Sequence, residues 1–209
     1  MYELYFITDR KLCKKGEEEQ VAAAIRGGAD IVQYREKELG FEQKVKKANT
    51  LKEICYRAEV DFIVNDDVDV ALEIEANGVH VGQKDEACKE ARKKLGNGKL
   101  IGVSASTVSE AVKAEKDGAD YIGLGPIFHT TTKKDAGPAR GLSLIHEVRK
   151  QVKIPLVAIG GITKKNAANV VIAGADGVSA VSELVCAVDI EDAVREMRNI
   201  VVEAKKKRK

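Results

Sequence analysis

A short turn recurs four times along this chain of 209 residues, and each copy stands before an apolar run. The copies read Ala-Asp or Ala-Asn, at Ala29, Ala76, Ala119 and Ala175. They are about 50 residues apart, roughly twice the length of one strand–helix unit, so the turn marks every second strand. In three copies a glycine precedes the alanine, as expected where a helix ends in a residue with positive φ. The repeat therefore predicts a fold built from pairs of strand–helix units.

Eight short apolar runs alternate with longer amphipathic stretches. Runs of this kind, rich in Val and Ile, are typical of strands buried on both faces of a parallel sheet. The runs are LYFIT, DIVQYR, DFIVND, GVHVG, LIGVSA, YIGLGPI, PLVAIGG and GVSAVS. Eight units favour a closed (β/α)8 TIM barrel that occupies residues 1–209 as one α/β domain. An open doubly wound sheet is the alternative, but YFITDRKLCKKG is not the glycine-rich first turn that such a sheet usually has.

Charge and composition exclude several classes of function. The net charge is +2, which creates no field for nucleic acid or for a membrane surface, and no apolar run is long enough to span a bilayer. The four cysteines show no metal-binding spacing and the first residues do not resemble a signal peptide, so we expect reduced thiols and a cytoplasmic location. The basic end, residues 205–209, is expected to be a disordered tail.

Acidic side chains follow two neighbouring predicted strands. Asp66 and Asp67 come after the third apolar run, and Asp85 follows the fourth. Two carboxylates at adjacent strand ends can converge on Mg²⁺, which takes few protein ligands and shares a substrate phosphate. A competing interpretation is that one of these residues caps the helix beginning at VDVAL. We expect Asp67 to be the cap and Asp66 the metal ligand.

Basic side chains follow the second strand. Gln33, Arg35 and Lys37 are two residues apart, and side chains of a strand alternate between faces, so the three are expected to share one face. A buried arginine or lysine needs a partner, and an anion such as a phosphate would serve. A salt bridge to the barrel's own acids is the alternative.

A second anion site is expected near the last two strands. Gly160 and Gly161 follow the seventh strand, and Ser182 follows the eighth. In many (β/α)8 barrels these two loops bind phosphate through backbone N–H groups. The stretch GPIFHTTTKKD, residues 125–135, follows the sixth strand and would lie between the two anion sites.

Most of the chain resembles the thiamine-phosphate synthase family. The resemblance is carried, in the family's order and spacing, by VQYREKEL, VNDDVDVAL, GVHVGQKD, IGVSAST, YIGLGPIFHTTTKKD and PLVAIGGITKKNAANVVIAGADGVSAVS. It implies a (β/α)8 barrel enzyme that joins hydroxymethylpyrimidine diphosphate to hydroxyethylthiazole phosphate, giving thiamine monophosphate and pyrophosphate. Ser106 departs from the family pattern, because many relatives carry histidine there, and His129 and Thr131 stand at variable positions.

The resemblance also implies a role for each matching residue. Mg²⁺ would be bound by Asp66 and Asp85, and the catalytic residues would be Arg35, Lys37, Ser104 and Lys133, which neutralise or contact the leaving diphosphate. The pyrimidine diphosphate would contact Gln33, Tyr34, Arg35, Glu36, Lys37, Asn65, Ser104 and Lys133. The thiazole phosphate would contact Thr130, Thr131, Thr132, Gly161, Val181 and Ser182. Both partners are small molecules, and the chain is a candidate homo-oligomer.

Three rival functions fit a barrel of this kind. A thiazole tautomerase, an isomerase on the same barrel, lacks the full acid pair and the Arg/Lys strand present here. A Schiff-base aldolase could use Lys37 or Lys133, but neither lies in an apolar stretch that would lower its pKa. A barrel that binds ligands without turnover is the third.

Overall fold

The computed structural model describes residues 2–13, 15–83, 87–132 and 136–208. Its strands are all parallel, and β8 pairs back to β1, so the sheet closes into a barrel in the order β1 to β8. The strands are β1 (Leu4–Ile7), β2 (Ile31–Tyr34), β3 (Asp61–Asn65), β4 (Gly78–Val81), β5 (Leu100–Ala105), β6 (Tyr121–Leu124), β7 (Leu156–Ile159) and β8 (Gly177–Ser179). The predicted (β/α)8 barrel is confirmed, and the open sheet is wrong.

Helices cover the outside of the barrel. They are α1 (Glu17–Arg26), α2 (Phe41–Arg57), α3 (Val68–Glu73), α4 (Cys88–Leu95), α5 (Val108–Lys116), α6 (Gly141–Arg149), α7 (Ala167–Ile172), α8 (Val181–Val185) and α9 (Ile190–Lys207). Within the described ranges, none of them is both long and apolar enough to cross a bilayer.

The pleat of the strands sorts their side chains into two cores. Inside the barrel lies a small cluster of Tyr5, Ile7, Ile31, Ile63, Tyr121 and Val157. The larger core lies between the strands and the helices and includes Phe6, Val32, Tyr34, Phe62 and Leu51. Because neighbouring residues of a strand point to opposite faces, this division decides which residues after β2 can reach the barrel mouth.

The recurring turn precedes β2, β4, β6 and β8, as the repeat predicts. In each copy the Asp or Asn side chain accepts a hydrogen bond from the backbone N–H at or near the start of the preceding odd-numbered strand. The bonds are Asp30 to Leu4 (2.9 Å), Asn77 to Phe62 (2.9 Å), Asp120 to Ile101 (2.7 Å) and Asp176 to Leu156 (2.9 Å). The three glycines of the turn have positive φ, and Glu75 takes the same conformation (φ 54) in the fourth copy. The turn therefore joins the even-numbered strand that follows it to the odd-numbered strand that precedes it, and we call this connection the clamp.

Arginine completes three of these clamps. Asp176 pairs with Arg149 of α6 and, at 3.1 Å, with Arg208, and it also accepts a hydrogen bond from the Leu156 N–H.

Replacing Asp176 by alanine leaves a backbone N–H and two guanidinium groups without this partner. We therefore expect the free energy of unfolding to fall by about 2 kcal/mol and the melting temperature by about 4–8 °C. Glu203→Ala, which removes an exposed ion pair to Lys206, should leave the melting temperature unchanged. Equal melting curves for Asp176→Ala and wild-type protein would contradict the clamp.

The prediction of a disordered tail from residue 205 is wrong. Helix α9 runs to Lys207 because its apolar face, which includes Val201 and Ala204, stays buried against the barrel. Lys205 Nζ lies 3.3 Å from a Glu3 carboxylate oxygen, and Arg208 donates to the Ala175 carbonyl at 2.7 Å. Lys209 lies outside the described residues.

Candidate active site

Gln33 lies inside the barrel near its carboxyl end. Its side chain is buried, and its Nε2 donates to the Tyr5 hydroxyl at 2.8 Å. The paired positions Gln33 and Ile63 point inward together, because register partners in parallel strands face the same side. Gln33 therefore faces the interior of the barrel.

Arg35 lies just past the end of β2 instead of on the strand. Its backbone N–H donates to Thr8 Oγ1 at 3.2 Å, and its guanidinium lies 3.5 Å from Asp9 Oδ2. The other Asp9 oxygen accepts the N–H groups of Lys11 and Leu12, so this nearly buried carboxylate organises the loop after β1 and holds Arg35 at the mouth. Thr8 and Asp9 are absent from the residues predicted from sequence; the signal was this polar pair at the end of the first apolar run.

Lys37 and Asp66 form an ion pair across the ends of β2 and β3. Both basic residues thus have acidic neighbours, as the salt-bridge interpretation predicted, and the anion they were expected to bind remains a prediction. Lys37 also lies past the end of β2, in the same loop as Arg35. The prediction that both occupy one face of the strand is wrong, because β2 ends at Tyr34.

Asp66 and Asp67 have different environments. Asp67 caps α3 by accepting the Val70 N–H at 3.2 Å, and it pairs with Lys44 at 3.0 Å, so the expected cap is confirmed. Asp66 has positive φ (63) and accepts from Asn65 Nδ2 at 2.5 Å. Its carboxylate therefore stands at the barrel mouth beside Asn65 and Lys37, free of any capping role.

Asp66 is the expected Mg²⁺ ligand that the described residues include. A magnesium site usually uses one or two carboxylates and completes its shell with water and phosphate oxygens. Asp66 supplies one carboxylate at the mouth, and Asp85, the second expected ligand, lies outside the described residues. Among the described residues, no cluster of three or more His, Cys, Asp or Glu side chains forms a metal site, at Asp66 or at any other position.

Ser104 points inward from β5 toward the mouth. Its hydroxyl lies 2.9 Å from His80 Nε2, and its carbonyl accepts from Gln83 Nε2 at 2.7 Å. Gln33, Asn65 and Ser104 are therefore positioned by the ends of β2, β3 and β5 around one opening. Lys133, the other residue expected at the diphosphate, lies outside the described residues.

The side chains of Tyr34 and Glu36 are turned away from this opening. Tyr34 is buried in the core between the strands and the helices, and burial, together with the charges of Glu17 and Glu36, raises the pKa of its hydroxyl. Glu36 pairs with Arg10 at 3.1 Å and accepts the Glu38 N–H at 2.6 Å, so it shapes the loop after β2. The structure thus gives no support to side-chain contacts from these two residues to substrate: the pleat of β2 places Tyr34 on the outer face, and Glu36 lies in the loop after β2, held by Arg10.

Replacing Tyr34 by phenylalanine tests this placement. The buried hydroxyl has no hydrogen-bond partner among the described residues, so its removal should leave the protein as stable as wild type or more stable by up to about 1 kcal/mol. The KM for the pyrimidine diphosphate that the family resemblance implies as substrate should not change. A raised KM with an unchanged melting temperature would instead place Tyr34 at the substrate.

The loop after β6 packs against the loop after β7. Phe128 N–H donates to the Gly160 carbonyl at 3.0 Å, and a Cβ at Gly161 would lie 2.8 Å from Phe128 Cβ and closer still to the His129 carbonyl. Both glycines have positive φ. The space that Gly160 and Gly161 leave is therefore occupied by the loop after β6. This contact places the residues of the two loops that are expected to bind the thiazole phosphate next to each other.

Three of those residues lie in the described part of the β6 loop, and a hydrogen bond joins the first to the third. The Thr132 N–H donates to Thr130 Oγ1 at 3.3 Å, and Thr131 stands between them, exposed. Across the opening, Val181 and Ser182 begin helix α8. Asn166, which was not predicted from sequence, donates to the Gly161 carbonyl at 3.0 Å and accepts the Thr163 N–H at 2.8 Å, and thereby fixes the shape of the β7 loop.

A closed barrel with these groups at the carboxyl ends of its strands defines an enzyme of the (β/α)8 class that acts on small molecules. The family model described as thiamine monophosphate synthase matches residues 4–184. The chain is 50% identical to a thiamine-phosphate synthase of Chloroflexus aurantiacus, with 96% of this chain and 93% of the relative covered. A thiamine-phosphate synthase of Methanocella arvoryzae is 48% identical over 96% of this chain and 95% of its own length.

A solved structure agrees with these relatives. Thiamine phosphate pyrophosphorylase from Pyrococcus furiosus superposes with a TM-score of 0.90 at 39% identity, covering 97% of this chain and 96% of that one. The protein therefore belongs to the thiamine monophosphate synthase family and is an enzyme, a transferase of a non-methyl alkyl group.

Proposed function

We propose that this enzyme condenses hydroxymethylpyrimidine diphosphate with hydroxyethylthiazole phosphate, giving thiamine monophosphate and pyrophosphate. The observation that carries the proposal is the convergence of Gln33, Arg35, Lys37, Asp66 and Ser104 on one opening, in a chain whose relatives are named for this synthesis. In this assignment the pyrimidine diphosphate lies over β2 to β5, and the thiazole phosphate lies over the loops after β6, β7 and β8.

The chemistry requires a good leaving group more than a protein nucleophile. The C–O bond between the pyrimidine methylene and the diphosphate breaks, and its electron pair leaves with pyrophosphate. The thiazole nitrogen then donates its lone pair to the methylene carbon and forms the new C–N bond. The aminopyrimidine ring delocalises the positive charge that the methylene carbon carries between these two events.

The protein's part is to bind and neutralise the diphosphate. Arg35, held by Asp9, and Lys37, held by Asp66, present cationic groups at the mouth, and Ser104 presents a hydroxyl. A Mg²⁺ ion held by Asp66, with Asp85 as its second ligand, would supply further positive charge against the departing diphosphate oxygens. Lys133 is expected to add a third cation there.

A pyrophosphate-release assay tests the function directly. Purified enzyme with both substrates and Mg²⁺ should release one pyrophosphate for each thiamine monophosphate formed, and EDTA should stop the release. An isomerase acting as a thiazole tautomerase would release none and would not require the diphosphate. Well-folded enzyme that fails to release pyrophosphate would contradict the proposal.

A further inference from the structure

A chain of hydrogen bonds crosses the interior of the barrel between Gln33 and Ser104. Gln33 Nε2 lies 2.8 Å from the Tyr5 hydroxyl, which lies 2.7 Å from the Tyr121 hydroxyl. The Tyr121 hydroxyl lies 3.1 Å from His80 Nδ1, and His80 Nε2 lies 2.9 Å from Ser104 Oγ. Three residues with no role in the proposed reaction thus connect two residues that line the mouth.

The barrel is shaped to hold this hydrogen-bond chain. Tyr5 and Tyr121 are buried, and His80 is nearly so. Two glycines, one on β5 and one on β6, make the space: a Cβ at Gly102 would lie 2.5 Å from His80 Nδ1, and a Cβ at Gly123 would lie 2.7 Å from His80 Cε1. Real Cβ atoms do not approach so closely, so any side chain at either position would displace the imidazole ring.

The donors and acceptors of the hydrogen-bond chain have a direction. An amide nitrogen only donates, so the Tyr5 oxygen accepts from Gln33, and the buried Tyr5 proton is satisfied when it is donated to the other partner, Tyr121. Tyr121 then donates its proton to His80 Nδ1, which must be unprotonated to accept it. Burial raises the pKa of both phenols, so each keeps the one proton that this order requires.

We propose that His80 is a positioning residue, fixed by Tyr121 as the tautomer protonated on Nε2. In that tautomer Nε2 donates to Ser104 Oγ, so the hydroxyl proton of Ser104 is left to donate to a substrate atom at the mouth. Ser104 then acts as an oriented hydrogen-bond donor, and His80 does not act as a base that withdraws its proton. The orientation of the Gln33 amide and the direction of the Ser104 hydroxyl are coupled through the barrel.

The tautomer can be read without any assay of activity. A two-bond ¹H–¹⁵N correlation spectrum of the ¹⁵N-labelled protein separates the two neutral tautomers and the imidazolium, and the chain has three histidines, so the signals lost in His80→Gln assign His80. We expect the Nε2-protonated pattern at neutral pH. The Nδ1-protonated pattern, which a reversed Gln33 amide would produce, or the imidazolium pattern would overturn the proposal.

Two further variants test the source of the preference. Tyr121→Phe removes the proton donor to Nδ1 and should convert the single pattern into a mixture of tautomers. Tyr2→Phe is the matched control, because its ring packs edge-on against Tyr121 with centroids 5.9 Å apart and its hydroxyl lies outside the hydrogen-bond chain. An unchanged tautomer in Tyr121→Phe would overturn the proposal.

The kinetic test rests on the proposed function. His80→Gln keeps an N–H donor that can reach Ser104, and His80→Leu does not, so we expect kcat to fall about tenfold in the leucine variant and to be largely retained in the glutamine variant, with the KM of the thiazole substrate unchanged in both. Equal losses in the two variants would overturn the positioning role. Absence of turnover in the wild-type enzyme would instead count against the proposed function and leave the spectroscopic result standing.

Discussion

Asp66→Asn should lower turnover by about 100-fold, whereas Asp67→Asn should leave it close to wild type. Asn tolerates the positive φ of Asp66, so the first change removes a charge at the barrel mouth without straining the backbone. It takes away the carboxylate that pairs with Lys37 and that we propose as a Mg²⁺ ligand. In the second variant Asn keeps the cap of α3, because its side-chain oxygen can accept the Val70 N–H.

The measurement is pyrophosphate release as a function of Mg²⁺ concentration. If Asp66 holds the ion, the Asp66→Asn variant should need more Mg²⁺ for half-maximal rate as well as turning over more slowly. Circular dichroism melting curves of both variants provide the control for folding. Equal losses of turnover in the two variants would contradict the division of roles between Asp66 and Asp67.

Gly102→Ala should be a strongly disruptive single-methyl change inside the barrel. The new Cβ would overlap the Tyr121 ring and lie 2.5 Å from His80 Nδ1, and both neighbours belong to the buried interior. Overpacking of this kind costs about 1–3 kcal/mol, which corresponds to a fall of roughly 2–12 °C in melting temperature for a domain of this size. Because the displaced groups hold Ser104, we expect turnover to fall with stability.

Gly98→Ala is the matched control for this change. It lies in the loop before β5, and a Cβ added there would meet no atom within 4 Å. Differential scanning calorimetry of the two variants separates a local clash from a general cost of replacing glycine. If Gly102→Ala had the same melting temperature as Gly98→Ala and the wild type, the interior packing described for His80 and Tyr121 would be wrong.

The architecture could be predicted because its signals are local. Apolar runs, and helices that end in glycine, can be recognised within short stretches of sequence. The turn before each even-numbered strand recurs there as Ala-Asp or Ala-Asn. The partner of each turn could not be read in this way: Asp176 holds Leu156 and Arg208, which are distant in sequence and become neighbours only when the barrel closes.

For a related reason, the residues of the site could be predicted from the sequence, but not all of their orientations and contacts. A motif such as Gln33 to Lys37 is contiguous in sequence, but the pleat sends Gln33 into the barrel and Tyr34 into the outer core. Local spacing could have separated those two residues. It could not have shown that His80 reaches Ser104 on the next strand and Tyr121 two strands away, because those contacts depend on the space left by Gly102.

Closure of the barrel also has a consequence for the chain while the ribosome is synthesising it. Strand β1 pairs with β2 on one side and with β8 on the other, where Leu4 matches Val178. At about 5–20 residues per second, β8 leaves the ribosome roughly 10–35 seconds after β1. During that interval one edge of β1 has no native strand to pair with, and exposed edges of this kind recruit other chains. The free edge of β1 is therefore open to misassociation until β8 pairs with it, and helix α9, whose Arg198 and Lys205 bind Glu3, adds contacts beside that strand.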